Sequence, residues 1–151
     1  KSSYYNATVV RSYKNALMEL IEGKPIDPYW YEEIKKASHR DFTTGFYYGD
    51  PKEEGQLYTS SSYIREYDFI GLVKDYDPIT RMATVEQRNK FSIGDVIEIF
   101  GPDIRHFDYQ IKEMYNSKDE PVESAPHPQE VIQVKIDQPI KPWYILRKKR
   151  V

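Results

Sequence analysis

Phe69-Ile70-Gly71-Leu72-Val73, Asp77-Pro78-Ile79-Thr80 and Met82-Ala83-Thr84-Val85-Glu86-Gln87-Arg88 read in succession as a buried strand, a turn and a returning antiparallel strand. The first run is apolar, the turn carries Asp and Pro, and the third mixes β-branched with polar residues. The pattern continues toward the C-terminus. Val96-Ile97-Glu98-Ile99-Phe100 alternates so that Ile97 and Ile99 face one way while Val96, Glu98 and Phe100 face the other. Phe107, Tyr109 and Ile111 alternate with Asp108, Gln110 and Lys112, and Val131 to Ile136 and Trp143 to Arg147 add two further strands. Phe91 to Asp95 and Asn116 to Pro121 read as turns, and Glu123 to Pro128, with prolines on both sides of His127, as a loop. Short strands in series with no helix between them predict a closed or nearly closed antiparallel barrel, which leaves few open sheet edges.

Toward the N-terminus the period changes. Val10, Tyr13, Leu17, Leu20 and Ile21 recur at helical spacing, with Val9 and Ala16 widening an apolar stripe. Ser2 or Ser3 starts this helix, and Gly23-Lys24-Pro25 stops it. Asp27-Pro28 opens a shorter helix with Trp30, Ile34 and Ala37 on one face. From His39 to Glu66 the helical period is lost, and aromatic, glycine and turn residues indicate an irregular connector with one short extended piece. The predicted fold class is α+β, mainly β: a helical segment over 1–38, a connector over 39–66 and a β-barrel over 67–151.

With 151 residues the chain has room for an ordinary core without covalent staples. It has no cysteine, which excludes disulfides, thiolate nucleophiles and Cys-bound metals within these residues. A net charge of −2 excludes a polyanion-binding field over the whole surface but allows a local basic patch. No apolar run is long enough to span a bilayer. The chain opens on Lys1 rather than Met, which reads as a fragment or a processed chain.

Several motifs resemble the C-terminal part of the U32 (collagenase-like) peptidase family. They are Ser3-Tyr4-Tyr5-Asn6-Ala7-Thr8-Val9-Val10-Arg11, Ala37-Ser38-His39-Arg40-Asp41-Phe42-Thr43-Thr44-Gly45-Phe46-Tyr47-Tyr48-Gly49, Tyr63-Ile64-Arg65-Glu66-Tyr67-Asp68-Phe69-Ile70-Gly71 and Val85-Glu86-Gln87-Arg88-Asn89-Lys90-Phe91. Met114-Tyr115, Ser124-Ala125-Pro126-His127-Pro128-Gln129 and Val134-Lys135-Ile136-Asp137-Gln138-Pro139 continue the match. The resemblance implies a barrel similar to those of translation factors. It also implies that the catalytic machinery, and any iron–sulfur cluster, belongs to an upstream domain, leaving this piece non-catalytic by itself and without a cofactor. The first helix would be the last element of that upstream domain. Part of the family is linked to hydroxylation of a wobble uridine in transfer RNA and part carries a protease label. The implied partners are therefore the upstream catalytic domain and either transfer RNA or a protein substrate, in the cytoplasm. One departure is local: relatives often carry Gly-Asp after the Lys-Pro near the end, where this chain has Lys141-Pro142-Trp143-Tyr144.

Two groups of residues read as binding candidates. His39 and Arg40, with Thr43, Thr44, Tyr47 and Tyr48, combine an acid–base group, a planar anion donor and stacking rings, and Tyr58 and Tyr63 extend the aromatic set. The structural alternative has His39 capping the second helix and Arg40 paired with a carboxylate. Arg147, Lys148, Lys149 and Arg150 form a basic run that would present its cations together at the barrel's end, behind Trp143 and Tyr144. The alternative there is a solubilising tail. His106 and His127 lack a second ligand at metal spacing, and the paired acids Glu32-Glu33 and Glu53-Glu54 read as solvated faces.

Overall fold

The computed structural model describes residues 2–39, 42, 45–50 and 64–150. The chain divides into two compact units, Lys1–Glu66 and Tyr67–Val151.

The first unit is built on α1 (Ser3–Ile21) and α2 (Pro28–Lys35). The Ser2 hydroxyl accepts the Tyr5 N–H and caps α1. At the other end, Lys24 N–H bonds the Glu19 carbonyl and Gly23 N–H the Leu20 carbonyl, with Gly23 at φ 74°. That is a Schellman closure, which requires the left-handed residue glycine supplies. Asp27 caps α2 through the Tyr29 N–H, and Pro28 occupies the first turn, where its missing N–H costs nothing.

The helices meet through polar groups. Arg11 lies 2.9 Å from Glu33, which also holds Lys36 at 3.1 Å, and the Tyr29 hydroxyl accepts from Arg11. Glu19 accepts from the Trp30 indole at 2.9 Å and from the Asp27 N–H at 2.8 Å, and the Tyr4 hydroxyl donates to the Lys36 carbonyl. The buried face of α1 is therefore Tyr4, Thr8, Arg11 and Ser12. At about 100° per residue this face is opposite the apolar stripe. Val10 is 63% exposed and Leu17 56%, and Tyr13, Leu20 and Ile21 are exposed as well.

The second unit is a curled antiparallel sheet of β1 (Tyr67–Asp77), β2 (Met82–Gln87), β4 (Val96–Phe100), β5 (Phe107–Gln110), β6 (Met114–Tyr115), β8 (Val131–Lys135) and β9 (Ile145–Lys149). Its order is β5-β4-β9-β1-β2-β8-β6, and β3 (Phe91–Ser92) pairs separately with β7 (Ser124–Ala125). Only residues 111–113 separate β5 from β6, so one stretch of chain supplies both ends of the sheet. Ile111 N–H bonds the Asp95 carbonyl, and Lys135 N–H the Glu113 carbonyl, along that stretch. The core inside the curl is Ile70, Val73, Val85, Phe91, Ile97, Ile99, Ile111, Met114, Ile132, Val134, Ile136 and Leu146, with Tyr144 at its rim.

Three expectations are corrected, the first being that Phe91 and Ser92, read as part of a turn, form β3 because they pair with Ala125 and Ser124. Ser124 and Ala125, read as loop, form β7, because Ala125 is small enough to pack fully buried opposite Phe91. The last strand is Ile145–Lys149, shifted from the expected Trp143 to Arg147. Trp143 has φ 74°, a left-handed conformation that cannot lie in a strand, so pairing starts after the turn and runs on through the basic residues.

Candidate functional site

The basic run proves to be a central strand, since β9 lies between β4 and β1. The four side chains consequently have different surroundings. Arg147 is 0% exposed; its Nη2 lies 2.6 Å and its Nε 2.7 Å from Glu98 Oε2 across the β4–β9 pairing. The guanidinium lies over the rings of Phe100, at 4.6 Å, and Tyr67, at 5.2 Å. The Tyr67 hydroxyl donates to the other Glu98 oxygen at 3.0 Å. The expectation that Arg147 joins its neighbours as a surface cation is therefore corrected: alternation turns it away from the core-facing Leu146, and Glu98, Tyr67 and Phe100 enclose it on that other face. Lys148 is half-buried and paired with Asp95 at 2.7 Å, while the Arg150 Nε donates to both Asp68 oxygens at 3.0 Å. Lys149 is exposed and has no ion pair among the described residues.

In the connector, His39 is half-buried, stacks on Phe42 with centroids 4.4 Å apart, and exchanges backbone hydrogen bonds with Ile64. The end of α2 is closed by the backbone N–H groups of Lys36 and Ala37. Tyr47 and Tyr48 are each 83% exposed, on a turn where Gly49 N–H bonds the Phe46 carbonyl, and their rings meet edge to face. Arg40, Thr43, Thr44, Tyr58 and Tyr63 lie outside the described residues. His127 is exposed, and His106 Nε2 lies 3.9 Å from Glu98.

A second constellation surrounds the departure at Trp143. The Tyr144 hydroxyl donates to Asp103 at 2.7 Å, Lys141 pairs with the same carboxylate, and a Cβ on Gly101 would overlap the Tyr144 ring. The Lys141 contact first, then Tyr144, holds the Asp103 carboxyl below its ordinary range. Burial first, then Asp103, pushes the Tyr144 phenol well above its own. The Trp143 ring projects into solvent, 69% exposed, with the Lys74 ammonium 5.4 Å from its centroid.

Sequence reasoning missed Glu98 as the partner of Arg147 and Lys90 as a neighbour of the basic strand. The first had a signal: an acid alternating within an apolar strand needs a cation beside it when that face is covered. Lys90 had none, because its proximity to the basic residues depends on the pairing of β1 with β9, which is distant in sequence.

These features define a small curled β-sheet domain preceded by a helical pair whose outward side is apolar. Residues 65–147 match the Peptidase family U32 C-terminal domain, and residues 1–57 match Peptidase family U32. The chain belongs to peptidase family U32. It is 36% identical over 151 residues to tRNA hydroxylation protein P1 of Bacillus subtilis (strain 168), covering 98% of this chain and 36% of that protein. To tRNA hydroxylation protein P of Haemophilus influenzae (strain ATCC 51907 / DSM 11121 / KW20 / Rd) it is 31% identical over 126 residues, covering 83% of this chain and 27% of that protein. The chain thus spans about a third or less of the length of these relatives. Among solved structures, the C-terminal domain of a Geobacillus thermoleovorans protein described as a U32 peptidase superposes with a TM-score of 0.52 at 40% identity, over 54% of this chain and 99% of that one. An iron–sulfur cluster needs thiolate ligands, and a chain without cysteine offers none, so these residues do not fit that group. Among the described residues no helix is long and apolar enough to cross a membrane.

Proposed function

We propose that this chain is a non-catalytic accessory region that docks through α1 onto the catalytic part of a U32-family protein. The observation that carries this reading is the outward stripe of Val10, Tyr13, Leu17, Leu20 and Ile21. Side chains of this kind gain about 1.5–3 kcal/mol each when buried, yet α1 buries its polar side instead. A contiguous apolar face of this size on a helix already satisfied on its other side fits a further protein surface. The partner is the remainder of the family protein, because the relatives extend well beyond the matched region.

The test mixes this chain with the separately produced remainder of the Bacillus subtilis relative and follows sedimentation. The wild-type chain co-sediments with it; Val10→Asp combined with Leu17→Asp leaves the chain folded and abolishes the association. Failure of the wild type to associate, equal association of the double variant, or self-association of the chain through this face contradicts the reading.

A second reading is favoured by the relatives' names and by the exposed pair Tyr47 and Tyr48. In it the same chain also contacts transfer RNA and presents it to the catalytic part. Stacking on exposed rings and neutralisation of phosphates by lysines are the expected interactions. Titration of labelled transfer RNA at low and raised salt checks it: log K must fall as log salt rises, and absence of binding at low salt removes the reading.

A further inference from the structure

A cavity of about 390 Å³ opens where the start of β1 lies beside the end of β9; it is lined by Asp68, Ile70, Lys90, Lys148, Lys149 and Arg150. The lining comes from well-separated parts of the chain. Sheet register sets Asp68 opposite Lys148 and Tyr67 opposite Lys149, and Lys90 follows β2 as the chain leaves the hairpin. Ile70 at the base is buried core, so the groove has a fixed floor.

The charges are unevenly restrained. Lys148 is held by Asp95, and Arg150 is held through its Nε by Asp68. Guanidinium carries five N–H donors, and the Arg150 Nη groups have no hydrogen-bond partner among the described residues. Lys90 and Lys149 are exposed and have no ion pair among the described residues. Elsewhere on the same unit, a larger groove of about 550 Å³ carries Asp75, Asp77, Glu113 and Asp119 against the single cation of Lys135. A polyanion is repelled from the acidic groove and drawn to the basic one, so the pair of grooves orients it on the domain.

We propose that the cavity lined by Lys90, Lys149 and Arg150 is a phosphodiester-binding groove for an RNA partner, with Asp68 as an internal competitor that an incoming phosphate displaces from Arg150. Lys90 and Lys149 neutralise backbone charge as point cations, and Arg150 provides the planar donor that suits phosphate oxygens. The inference rests on the second reading above, that the chain contacts RNA, and adds where the phosphates sit and what holds the site closed.

The test titrates fluorescein-labelled transfer RNA into the chain, its Lys90→Glu/Lys149→Glu double variant, Asp68→Asn, and Lys118→Glu as a control from the distant 116–121 turn. A parallel arm uses inorganic phosphate as competitor. The double variant weakens binding at least tenfold and flattens the dependence of log K on log salt by about 1.4–1.8, at about 0.7–0.9 per lost phosphate contact. Asp68→Asn tightens binding several-fold by releasing Arg150, an effect opposite to that of a merely structural loss, and Lys118→Glu changes neither quantity. Circular dichroism checks that every variant is folded. Wild-type binding with an unchanged double variant places the phosphates elsewhere and overturns the inference while the RNA reading stands. No binding of transfer RNA to the wild type at low salt overturns both, and displacement of bound RNA by inorganic phosphate at equimolar phosphodiester identifies a small-anion site and overturns the RNA assignment.

Discussion

Arg147 and Glu98 face one another across β4 and β9, with Nη2 and Oε2 2.6 Å apart and the arginine sealed from solvent. Removing one partner of such a pair leaves an uncompensated charge in a medium that solvates it poorly, at a cost of about 3–5 kcal/mol. Glu98→Gln keeps the shape and loses the charge, so it should lower the urea-unfolding free energy by about that amount. Combining Arg147→Met with Glu98→Leu should recover most of the loss, since an apolar pair needs no counter-charge. Equal stability of Glu98→Gln and wild type would contradict the burial of the pair.

Trp143 occupies a left-handed conformation that costs an L-residue about 1–2 kcal/mol, and it is held there by its N–H to the Val73 carbonyl and by the 141–144 turn. Trp143→Gly removes the steric cost, while Trp143→Val adds a β-branch where it is least tolerated. Thermal unfolding should place the glycine variant above the valine variant by about 1–2 kcal/mol. The reverse order would show that the turn does not enforce this geometry.

Asp103 supplies the pH dependence of the same corner. Its folded-state pKa lies below the ordinary 3.8, through Lys141 first and Tyr144 second. A carboxyl lowered on folding contributes its full stabilisation above the unfolded value and loses it as pH falls through the folded one. The carboxylate is largely open to water, which screens the pair, so the effect is local rather than global. Trp143 fluorescence should respond with a midpoint below pH 3.8, and Lys141→Ala should move that midpoint upward. A midpoint at or above 3.8 in the wild type would contradict the contact.

The strands were legible because their alternation is strong: Val96 to Phe100 and the β1–β2 hairpin follow from period and turn chemistry alone. The surroundings of the basic run were not legible. From sequence, Arg147 to Arg150 near a chain end has the composition of a solvated tail, and nothing local reveals that β4 and β1 flank it on both sides. Which side of α1 is buried was equally hidden. Hydrophobic period locates the apolar stripe but not its neighbour, and here α2 takes the opposite side because Glu33 and Glu19 offer partners to Arg11 and Trp30. Pairing distant in sequence decided both cases.

The outward face of α1 gives the most direct measurement. The chain has no cysteine, so Leu17→Cys introduces a unique thiol on the stripe that accepts an environment-sensitive fluorophore without altering the Arg11–Glu33 side of the helix. Alone in solution, the labelled chain should emit as a water-exposed probe. Addition of the remainder of the Bacillus subtilis relative should shift the emission to the blue in a saturable manner, with Val10→Asp suppressing the shift. Emission that stays unchanged at saturating partner would show that the apolar side of α1 remains in water and that the docking account is wrong.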